Sequence, residues 1–231
     1  MSKIIISVVS HGQQDLVQKF LESADQFLVS NEHQVQFLVT ENLDDEIDIA
    51  SKVFDLNVSY NLRQKGFGDN HNSAFEKFHC DYFIVANPDI ELYETLDCDE
   101  IIRSLGCVDI ACPVIVGRDM TPEDYIRADL SVWNLMKRHL FNYNEKKQDW
   151  FAGMFLIFKA SSFRTLSGFD TKFFMYVEDC DICMRARDIG MKLKALDNAS
   201  VLHSARRTSR KKLRYLYWHI KSLVKYWCSR R

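Results

Sequence analysis

Three carboxylates follow an apolar aromatic segment in the second half of the chain. Residues 173–176 read FFMY, and Glu178, Asp179 and Asp181 come shortly after them. Carboxylates beside buried aromatic side chains are costly unless they face a polar cleft, a cation or a substrate. Partial desolvation also raises the proton affinity of a carboxylate toward the value that a general base needs near neutral pH. The stretch 150–185 is therefore the first candidate for an active centre.

Asp89 is a second candidate for chemistry. It follows an apolar strand-like segment, YFIVA at 82–86, and the turn residues Asn87 and Pro88. Proline stiffens such a turn, so the carboxylate should project from the end of the strand in a fixed direction. Mg²⁺ and Mn²⁺ prefer oxygen ligands and often share their coordination shell with substrate phosphates. An Asp in a turn can equally cap a helix, so both roles stay open for Asp89 at this point.

The elements that must position these residues alternate between strands and helices. The β-branched segment 4–10 predicts a strand buried on both faces, and apolar residues at helical spacing over 16–28 predict the helix that follows. Further strands are predicted at 35–40, 56–60, 82–86, 108–116 and 151–159, and further helices at 44–54, 179–189 and 213–227. This order predicts an α/β fold with a mostly parallel central sheet, flanking helices and a ligand site at the carboxyl ends of the strands.

Composition favours a single main domain. The chain has 231 residues, of which 47% are hydrophobic and 13% aromatic, enough for one substantial core. It lacks an apolar run of the ~20 residues that span a bilayer, and the short apolar segment at its start does not resemble a signal peptide. The seven cysteines fit reduced thiols, and the C-x-x-C of Cys180 and Cys183 lacks the second pair of a zinc ribbon. A cytoplasmic protein with one domain over 1–205 is expected.

Residues 206–231 differ in charge from the rest of the chain. They carry ten Lys and Arg and no acid, whereas the remainder has 20 basic and 32 acidic residues. Interleaved Leu, Tyr and Trp predict a basic amphipathic helix that enters the headgroup region of an anionic membrane, here the inner face of the cytoplasmic membrane. The alternative is that its apolar stripe packs on the acidic body as core. Nucleic acid is not an expected partner, because the acidic body would repel it.

Six short motifs occur along the chain in a characteristic order. They are SVVSH at 7–11, NPD at 87–89, WFAG at 150–153, GFD at 168–170, FFMYVEDCD at 173–181 and a late histidine, His203. This order resembles the family 2 glycosyltransferases, particularly their rhamnosyltransferase-like branch, from about residue 4 to residue 204. The resemblance implies a GT-A fold in which 1–90 binds a dTDP- or UDP-linked sugar and 91–205 binds a saccharide or lipid-linked oligosaccharide acceptor for surface polysaccharide biosynthesis.

The resemblance also implies inversion by direct displacement. A carboxylate deprotonates the acceptor hydroxyl, and a divalent metal, Mg²⁺ or Mn²⁺, holds the diphosphate leaving group. Asp179 matches the base, and Glu178 is the alternate base or a ligand for acceptor hydroxyls. Asp89 matches the last acid of the D-x-D-like motif and is the implied metal ligand, with Asn87 in place of the first acid. His203 matches a histidine that completes the metal or diphosphate contacts.

The implied nucleotide site lies in the first half of the chain. Ser10 and His11 leave the first strand where a base and ribose would bind, and Glu41 stands where the family usually has an Asp that contacts a pyrimidine ring. Residues 66–72, GFGDNHN, resemble the family's glycine-containing segment before the fourth strand. Asp69 and Asn72 within it either touch the nucleotide or donor sugar or cap the helix that follows.

Two residues resemble the acceptor-side wall. The aromatic face of Trp150 can lie against sugar C–H groups, and Gly153 allows close backbone approach. Packing in the core is the competing role for Trp150. Asp181 is expected to cap the helix that follows it or to pair with Arg185, four residues along the same face.

Two other functions compete with glycosyl transfer. A sugar nucleotidylyltransferase shares the nucleotide-binding architecture but needs a glycine-rich basic loop after the first strand, and residues 11–15, HGQQD, do not form one. A non-catalytic carbohydrate-binding or nucleotide-sugar-binding subunit would have lost the base or the metal acid. Asp89, Glu178 and Asp179 are all present in this chain.

Overall fold

An eight-stranded sheet forms the centre of the computed structural model, which describes residues 1–43, 46–131, 134, 148–204 and 213–230. The strands are β1 (Lys3–Ser10), β2 (Leu28–Val29), β3 (Gln34–Glu41), β4 (Asp55–Tyr60), β5 (Tyr82–Ala86), β6 (Ile90–Glu91), β7 (Leu96–Asp97), β8 (Ile110–Val116), β9 (Ile126–Arg127), β10 (Trp150–Phe151), β11 (Phe155–Lys159) and β12 (Leu193–His203). The described helices are α1 (Gln14–Phe27), α2 (Phe67–Lys77), α3 (Cys98–Ser104), α4 (Ala160–Thr165), α5 (Glu178–Asp188) and α6 (Leu213–Ser229).

The strands of the central sheet run mostly in one direction. Their order is β4-β3-β1-β5-β11-β8-β12-β6. Strands β4, β3, β1 and β5 pair in parallel, and β8 pairs in parallel with β12. Strand β11 runs antiparallel to β5 and β8 on either side, and the short β6 runs antiparallel to β12. The prediction of a mostly parallel α/β sheet is confirmed.

The sheet's core strands are apolar because both faces are covered. In β1, every residue from Ile4 to Ser10 is buried, as the continuous β-branched run predicts for a parallel strand under helices. Strand β5 lies at 82–86 as predicted, and β3, β4 and β8 lie within two residues of their predicted ranges. Phe163 of α4 packs on Phe83 of β5 and Phe158 of β11, with ring centres 5.0 Å apart in both pairs.

Two sequence predictions are wrong in the first half and the middle of the chain. Residues 46–54 of the predicted helix 44–54 are irregular, while 44 and 45 lie outside the described residues. This segment is tied to α1 by side chains instead, since the carboxylate of Asp25 accepts from the hydroxyl of Ser51 and the N–H groups of Lys52 and Val53. The predicted strand 151–159 is split into β10 and β11 by Ala152, Gly153 and Met154.

Strand β12 is an element that the sequence did not reveal. Its pairing with β8 shifts register between Leu196 and Ser200, at an irregularity that contains Asp197 and Asn198. These two residues are typical of turns, and a bulge interrupts the period-two pattern of a strand. The strand is nonetheless essential to the site, because it delivers His203 to the same edge of the sheet as the ends of β1, β3 and β5.

Helix α6 packs on the body with one face. Tyr226 is 1% exposed, and its hydroxyl donates to Asp129 at 2.5 Å, while the indole N–H of Trp227 donates to the carbonyl of Leu130 at 2.7 Å. Arg230 forms a bidentate ion pair with Asp188. Residues 206–212 of the basic segment lie outside the described residues. None of the described helices has the length and apolar content needed to cross a membrane.

The glycines before and within α2 allow it to pack closely against the second half of the chain. A Cβ at Gly68 would lie 2.5 Å from the Cβ of Phe169, and one at Gly66 would lie 2.7 Å from the carbonyl oxygen of Phe174. These glycines therefore serve close packing between the segment 66–72 and the loop that leads to Glu178 and Asp179.

Substituting Gly68→Ala is expected to lower the free energy of unfolding by about 1–3 kcal/mol, because neither the helix nor Phe169 can shift without loss of packing. Urea unfolding measures the change, with Glu76→Ala on the exposed face of α2 as a control expected to stay within about 0.5 kcal/mol. An unchanged free energy of unfolding for the Gly68 variant would contradict this packing argument.

Candidate active site

The carboxyl ends of the parallel strands bring the predicted residues to one edge of the sheet. Ser10 and Glu41 end β1 and β3 and lie opposite each other in the strand register. Asn87 and Asp89 follow β5, and His203 ends β12. This is the edge at which open parallel sheets bind ligands.

Glu41 is a fully buried carboxylate with one unsatisfied oxygen. Its Oε1 accepts the N–H groups of Gly12 at 3.0 Å and Leu43 at 3.1 Å. Its Oε2 is buried and has no hydrogen-bond partner. A buried acceptor without a donor is unfavourable, so a ligand N–H that reached Oε2 would gain a strong hydrogen bond. Glu41 thus has the chemistry needed to bind the edge of a nucleotide base.

A network of three amides, which the sequence analysis missed, lies next to Glu41. Asn42 accepts from the side chain of Asn61 at 2.7 Å and from the backbone of Lys65 at 2.9 Å, and Asn61 donates to Asn70 at 2.6 Å. Asn42 also contacts the Nε2 atom of His11 at 2.8 Å. The buried network fixes the segment 61–66 against the ends of β3 and β4, which no local sequence pattern reveals.

The charge state of His11 follows from its position beside this network. Burial lowers the pKa of His11, and the negative charge of Glu41 opposes that shift only in part. The imidazole is therefore mainly neutral near pH 7 and can accept one hydrogen bond and donate another. Ser10 is also buried here, and its hydroxyl accepts from the N–H of Gln13 at 3.1 Å.

Asp69 and Asn72 lie within α2 rather than before it. The helix begins at Phe67 and has no side-chain cap, so the capping role considered for these two residues is wrong. Both polar groups of Asn72 are used by Phe169, whose N–H donates to Oδ1 at 2.9 Å and whose carbonyl accepts from Nδ2 at 2.8 Å. Asp69 is half-buried, and its carboxylate lies 3.9 Å from the ammonium of Lys65. Contact of either residue with a donor stays a prediction.

Asp89 and His203 are brought together by strand pairing. Ile90 on β6 lies opposite His203 on β12, and the N–H of Ser204 donates to the backbone carbonyl of Asp89. The Nε2 atom of His203 is consequently 3.4 Å from Oδ2 of Asp89. The other oxygen of Asp89, Oδ1, is buried without a partner.

Glu123 completes this group, and the sequence analysis missed it. Its carboxylate lies 2.9 Å from Nδ1 of His203. Burial lowers the pKa of His203, but the hydrogen bonds and charges of Asp89 and Glu123 outweigh burial, so the net shift is upward. A carboxylate bonded to one ring nitrogen fixes the tautomer and directs the other nitrogen, here toward Asp89.

Asp89 and His203 offer an oxygen and a nitrogen that could bind a divalent metal. The unpartnered Oδ1 of Asp89 fits such a role, and Asn87 lies nearby in the same turn. Within the described part of the chain, no group of three or more His, Cys, Asp or Glu is arranged to hold a metal ion without other ligands. Diphosphate oxygens and water would have to complete the coordination shell.

Glu178 and Asp179 open helix α5 after a strained turn. Tyr176 and Val177 have φ values of +68° and +77°, in the left-handed region that non-glycine residues rarely adopt. Such a conformation costs about 1–3 kcal/mol per residue and persists only where the surroundings enforce it. Here it ends the aromatic segment and starts α5 with its first-turn carboxylates near the positive end of the helix dipole.

Asp179 is held by two backbone donors. Its Oδ2 accepts from the N–H of Gly153 at 2.9 Å and its Oδ1 accepts from the N–H of Cys180 at 2.8 Å. A Cβ at Gly153 would approach the Cβ of Asp179 to 3.2 Å, so a glycine permits this close contact. Burial raises the pKa of Asp179 despite these hydrogen bonds, which keeps the carboxylate basic enough to accept a proton.

Glu178 is buried and carries an unsatisfied oxygen, Oε2. Burial first, and then the negative charge of Asp179, raises the pKa of Glu178 to about 8. Glu178 is therefore largely protonated near pH 7, and the N–H groups of Gly153 and Cys180 favour the ionised form of Asp179. Asp181 forms the expected ion pair with Arg185 at 2.7 Å, so this prediction is confirmed.

Trp150 lies in the core, three residues before Gly153. Its ring is 3% exposed, its indole N–H donates to the carbonyl of Ala128 at 2.7 Å, and the guanidinium of Arg127 lies 5.3 Å from the ring centre. These contacts agree with the core-packing role considered for it. An acceptor could reach Trp150 only if neighbouring atoms moved, so its place in an acceptor wall stays a prediction, as does that of Gly153.

Comparison with known proteins supports the resemblance to rhamnosyltransferases. The chain is 26% identical to the rhamnosyltransferase WbbL of Escherichia coli K12, in an alignment that covers 99% of this chain and 94% of that relative. A segment of 80 residues, 34% of this chain, is 35% identical to the N-acetylglucosaminyl-diphospho-decaprenol L-rhamnosyltransferase of Mycobacterium tuberculosis, of which it covers 26%. No protein-family model matches the chain.

Solved structures share the fold. A Pyrobaculum calidifontis mannosyltransferase in complex with GDP-Man and Mn²⁺ matches with a TM-score of 0.63 at 14% identity, over 95% of this chain and 60% of that one. Staphylococcus aureus TarS in complex with UDP matches with a TM-score of 0.60 at 14% identity, over 88% of this chain and 60% of that one. GalNAc-T7 with UDP, GalNAc and Mn²⁺ gives 0.68 at 13% identity, over 89% of this chain and 44% of that one. The predicted GT-A fold is confirmed.

The raised pKa of Glu178 predicts a specific pH dependence of stability. The pKa of Glu178 rises from a usual value of 4.5 to about 8 in the folded protein. The protonated side chain therefore contributes to the free energy of unfolding; this contribution is fully present below pH 4.5 and is lost as the pH rises through 8. Glu178→Gln cannot ionise, so its free energy of unfolding relative to wild type should increase between pH 5 and pH 9. Urea unfolding across this range tests it, with exposed Glu76→Gln as control. Parallel profiles for wild type and Glu178→Gln would show that Glu178 is not perturbed.

Proposed function

We propose that this chain, a rhamnosyltransferase-like glycosyltransferase of family 2, transfers a sugar from a dTDP- or UDP-linked donor to a lipid-linked saccharide in polysaccharide biosynthesis, with inversion at the anomeric carbon. Rhamnose is the first candidate sugar, because both curated relatives are named rhamnosyltransferases. The name of the mycobacterial relative suggests an N-acetylglucosaminyl-diphospho-polyprenol as the first acceptor to try. The enzyme class rests on these relatives together with the fold.

The observation that carries the proposed mechanism is the short connection between the two carboxylate sites. Gly153 donates its N–H to Asp179, and the carbonyl of the next residue, Met154, accepts from the N–H of Asn87, two residues before Asp89. A base and a diphosphate-binding acid must flank the reacting carbon at a constant separation, and two adjacent residues of one backbone supply that constraint.

In this mechanism Asp179 takes the proton of the attacking acceptor hydroxyl. Its partial burial and raised pKa favour proton transfer, while Gly153 and Cys180 keep its oxygens in a fixed direction. Glu178 is largely protonated, so its unpartnered Oε2 can donate a hydrogen bond to an oxygen of the acceptor saccharide. The oxygen of the acceptor then bonds to the anomeric carbon as the bond to the diphosphate breaks.

The nucleotide and diphosphate are bound by the first half of the sheet edge. The free Oε2 of Glu41 suits an N–H of a pyrimidine ring, and Ser10 and His11 lie beside it at the end of β1. Asp89 and His203 would hold a divalent metal with the diphosphate, and a bound metal would neutralise the charge of the leaving group. Glu123 would keep Nε2 of His203 directed toward that metal.

A donor panel tests the function directly. Purified full-length protein is incubated with dTDP-, UDP- and GDP-linked sugars, Mg²⁺ or Mn²⁺, and a short-chain N-acetylglucosaminyl-diphospho-prenol, and release of nucleoside diphosphate and the anomeric configuration of the product are measured. We expect acceptor-dependent release with one donor and inversion in the product. Pyrophosphate release from a nucleoside triphosphate and a sugar phosphate would establish a nucleotidylyltransferase instead, and absence of turnover with bound donor would favour a non-catalytic subunit.

Substitutions of Asp89 and of Glu123 test the proposed metal site. Asp89→Asn is expected to abolish transfer nearly completely, and Glu123→Gln to weaken Mn²⁺ binding about 10–100-fold, the range for lost partners of metal-bound histidines. Mn²⁺ binding is measured by electron paramagnetic resonance in the presence of dTDP or UDP, and Glu76→Gln serves as the control. Normal turnover of Asp89→Asn, or a wild type that is indifferent to chelator, would contradict metal assistance.

The outer face of α6 supports attachment to an anionic membrane. Leu216, Tyr217, Ile220 and Val224 are about half exposed and recur at helical spacing on the side away from the body. The adjacent basic residues of 206–231 would meet lipid headgroups, although Arg230 and Lys225 are already bonded to Asp188 and to the carbonyl of Lys172. The acceptor is expected to be lipid-linked, so the inner face of the cytoplasmic membrane is the proposed location.

Replacing three of these residues, Leu216→Ser, Ile220→Ser and Val224→Ser, should abolish binding to vesicles without unfolding the protein, because the docked face of α6 stays intact. Flotation with phosphatidylglycerol vesicles at low and high salt measures binding, and phosphatidylcholine vesicles are the control for charge. Recovery of the wild type in the protein-only fraction with anionic vesicles at low salt would contradict the membrane proposal.

A further inference from the structure

The inner face of α6 contacts the turn that carries the catalytic carboxylates. Trp218 packs on Phe174 with ring centres 4.9 Å apart, and the hydroxyl of Ser222 donates to the carbonyl of Met175 at 2.9 Å. His219 stacks on Tyr176, with ring centres 5.2 Å apart and an angle of 28° between the planes. The helix thus touches three consecutive residues that lead into Glu178 and Asp179.

Tyr215 and His219 are one helical turn apart and lie on the side of α6 that faces this turn. Electrostatic interactions connect Tyr215 with Tyr176, Tyr176 with Glu178, and His219 with Asp179 and Arg127. His219 retains exposed surface, and Tyr176 and Tyr215 are half-buried. Three aromatic rings with polar atoms therefore lie at the turn that leads into Asp179 and remain partly open to a ligand.

We propose that Tyr176, Tyr215 and His219 form an acceptor subsite in which the sugar ring that carries the attacking hydroxyl packs beside Asp179. Aromatic faces bind the C–H surface of a sugar, and hydroxyl and imidazole groups bind its hydroxyls, so this composition suits a carbohydrate. The inference rests on the proposed function, because it assigns the acceptor site of that reaction. In this proposal α6 contributes residues to the acceptor site and is not only a membrane-binding helix.

The position of the subsite suits a lipid-linked acceptor. The same helix exposes Leu216, Ile220 and Val224 on its outer side, and its inner side presents Tyr215 and His219 toward Tyr176. A helix has a diameter of roughly 10–12 Å, so a sugar attached to a lipid diphosphate in the headgroup region would lie within reach of its inner side.

The anchors of α6 are separate from the proposed subsite. Tyr226, Trp227 and Arg230 bond to Asp129, Leu130 and Asp188 near the C-terminal end of the helix. Substitutions at 215 and 219, about three and two turns away from the buried Tyr226, should therefore leave the helix docked. This separation allows acceptor binding to be tested apart from folding.

The experiment compares His219→Ala and Tyr215→Ala with wild type in the full chain, using the donor that the panel identifies and a short-chain N-acetylglucosaminyl-diphospho-prenol as the acceptor probe. We expect the acceptor KM to rise at least tenfold, while the donor KM, slow hydrolysis of the donor without acceptor, and the melting temperature stay unchanged. His219→Phe keeps the stacked ring and should restore part of the acceptor affinity. His79→Ala, an exposed histidine before β5, is the matched control.

Binding of the same probe, measured by isothermal titration calorimetry, gives a readout that does not depend on turnover. Unchanged acceptor KM and unchanged probe affinity in both alanine variants would overturn the subsite while leaving the transferase function intact. A wild type that hydrolyses or transfers no donor and binds no probe would overturn the proposed function, and the subsite with it. A change in donor KM instead would assign these residues to the donor side and also overturn the inference.

Discussion

The geometry of the proposed active site depends on the three-residue interruption between β10 and β11. There the N–H of Gly153 points to Asp179 and the carbonyl of Met154 accepts from Asn87. If β10 and β11 were one continuous strand, both backbone groups would be used within a sheet ladder and neither carboxylate site would be held in place. The lack of a side chain at Gly153 is part of the same constraint, because any Cβ would press against Asp179.

Polar groups at this edge are costly to the fold and useful to the reaction. Glu41, Asp89 and Glu178 each keep one buried oxygen without a partner, although most buried polar atoms in proteins are satisfied. The strained backbone at Tyr176 and Val177 adds a further cost, which the hydrogen bond from Ser222 of α6 to the carbonyl of Met175 helps to offset. Unsatisfied acceptors and local strain are tolerated where a ligand completes the structure. These three oxygens and the strained turn lie in the proposed donor, metal and acceptor sites, whereas a fourth unpartnered atom, Nε2 of His71, is fully buried in α2.

Sequence patterns predicted elements whose own residues are strongly biased. The buried parallel strands β1, β3 and β5 are predicted because apolar runs rich in β-branched and aromatic residues favour strands. The start of α5 is predicted because acidic residues follow an aromatic run. Strand β12 was missed because Asp197 and Asn198 interrupt it, so the element that carries His203 was unknown even though His203 itself was singled out. Contacts between distant segments, such as Glu123 with His203 or the amides of Asn42, Asn61 and Asn70, leave no local signal.

The central claim is that Asp179 is the base and that the N–H groups of Gly153 and Cys180 hold its carboxylate in position. The most direct test is the steady-state kinetics of Asp179→Asn, which preserves shape and an acceptor for the N–H of Gly153 but cannot take a proton. The account predicts a fall in kcat of roughly two to four orders of magnitude, the range for lost general base catalysis, with donor KM little changed. An Asp179→Asn enzyme with normal turnover, together with an inactive Glu178→Gln enzyme, would contradict it and assign the base to Glu178.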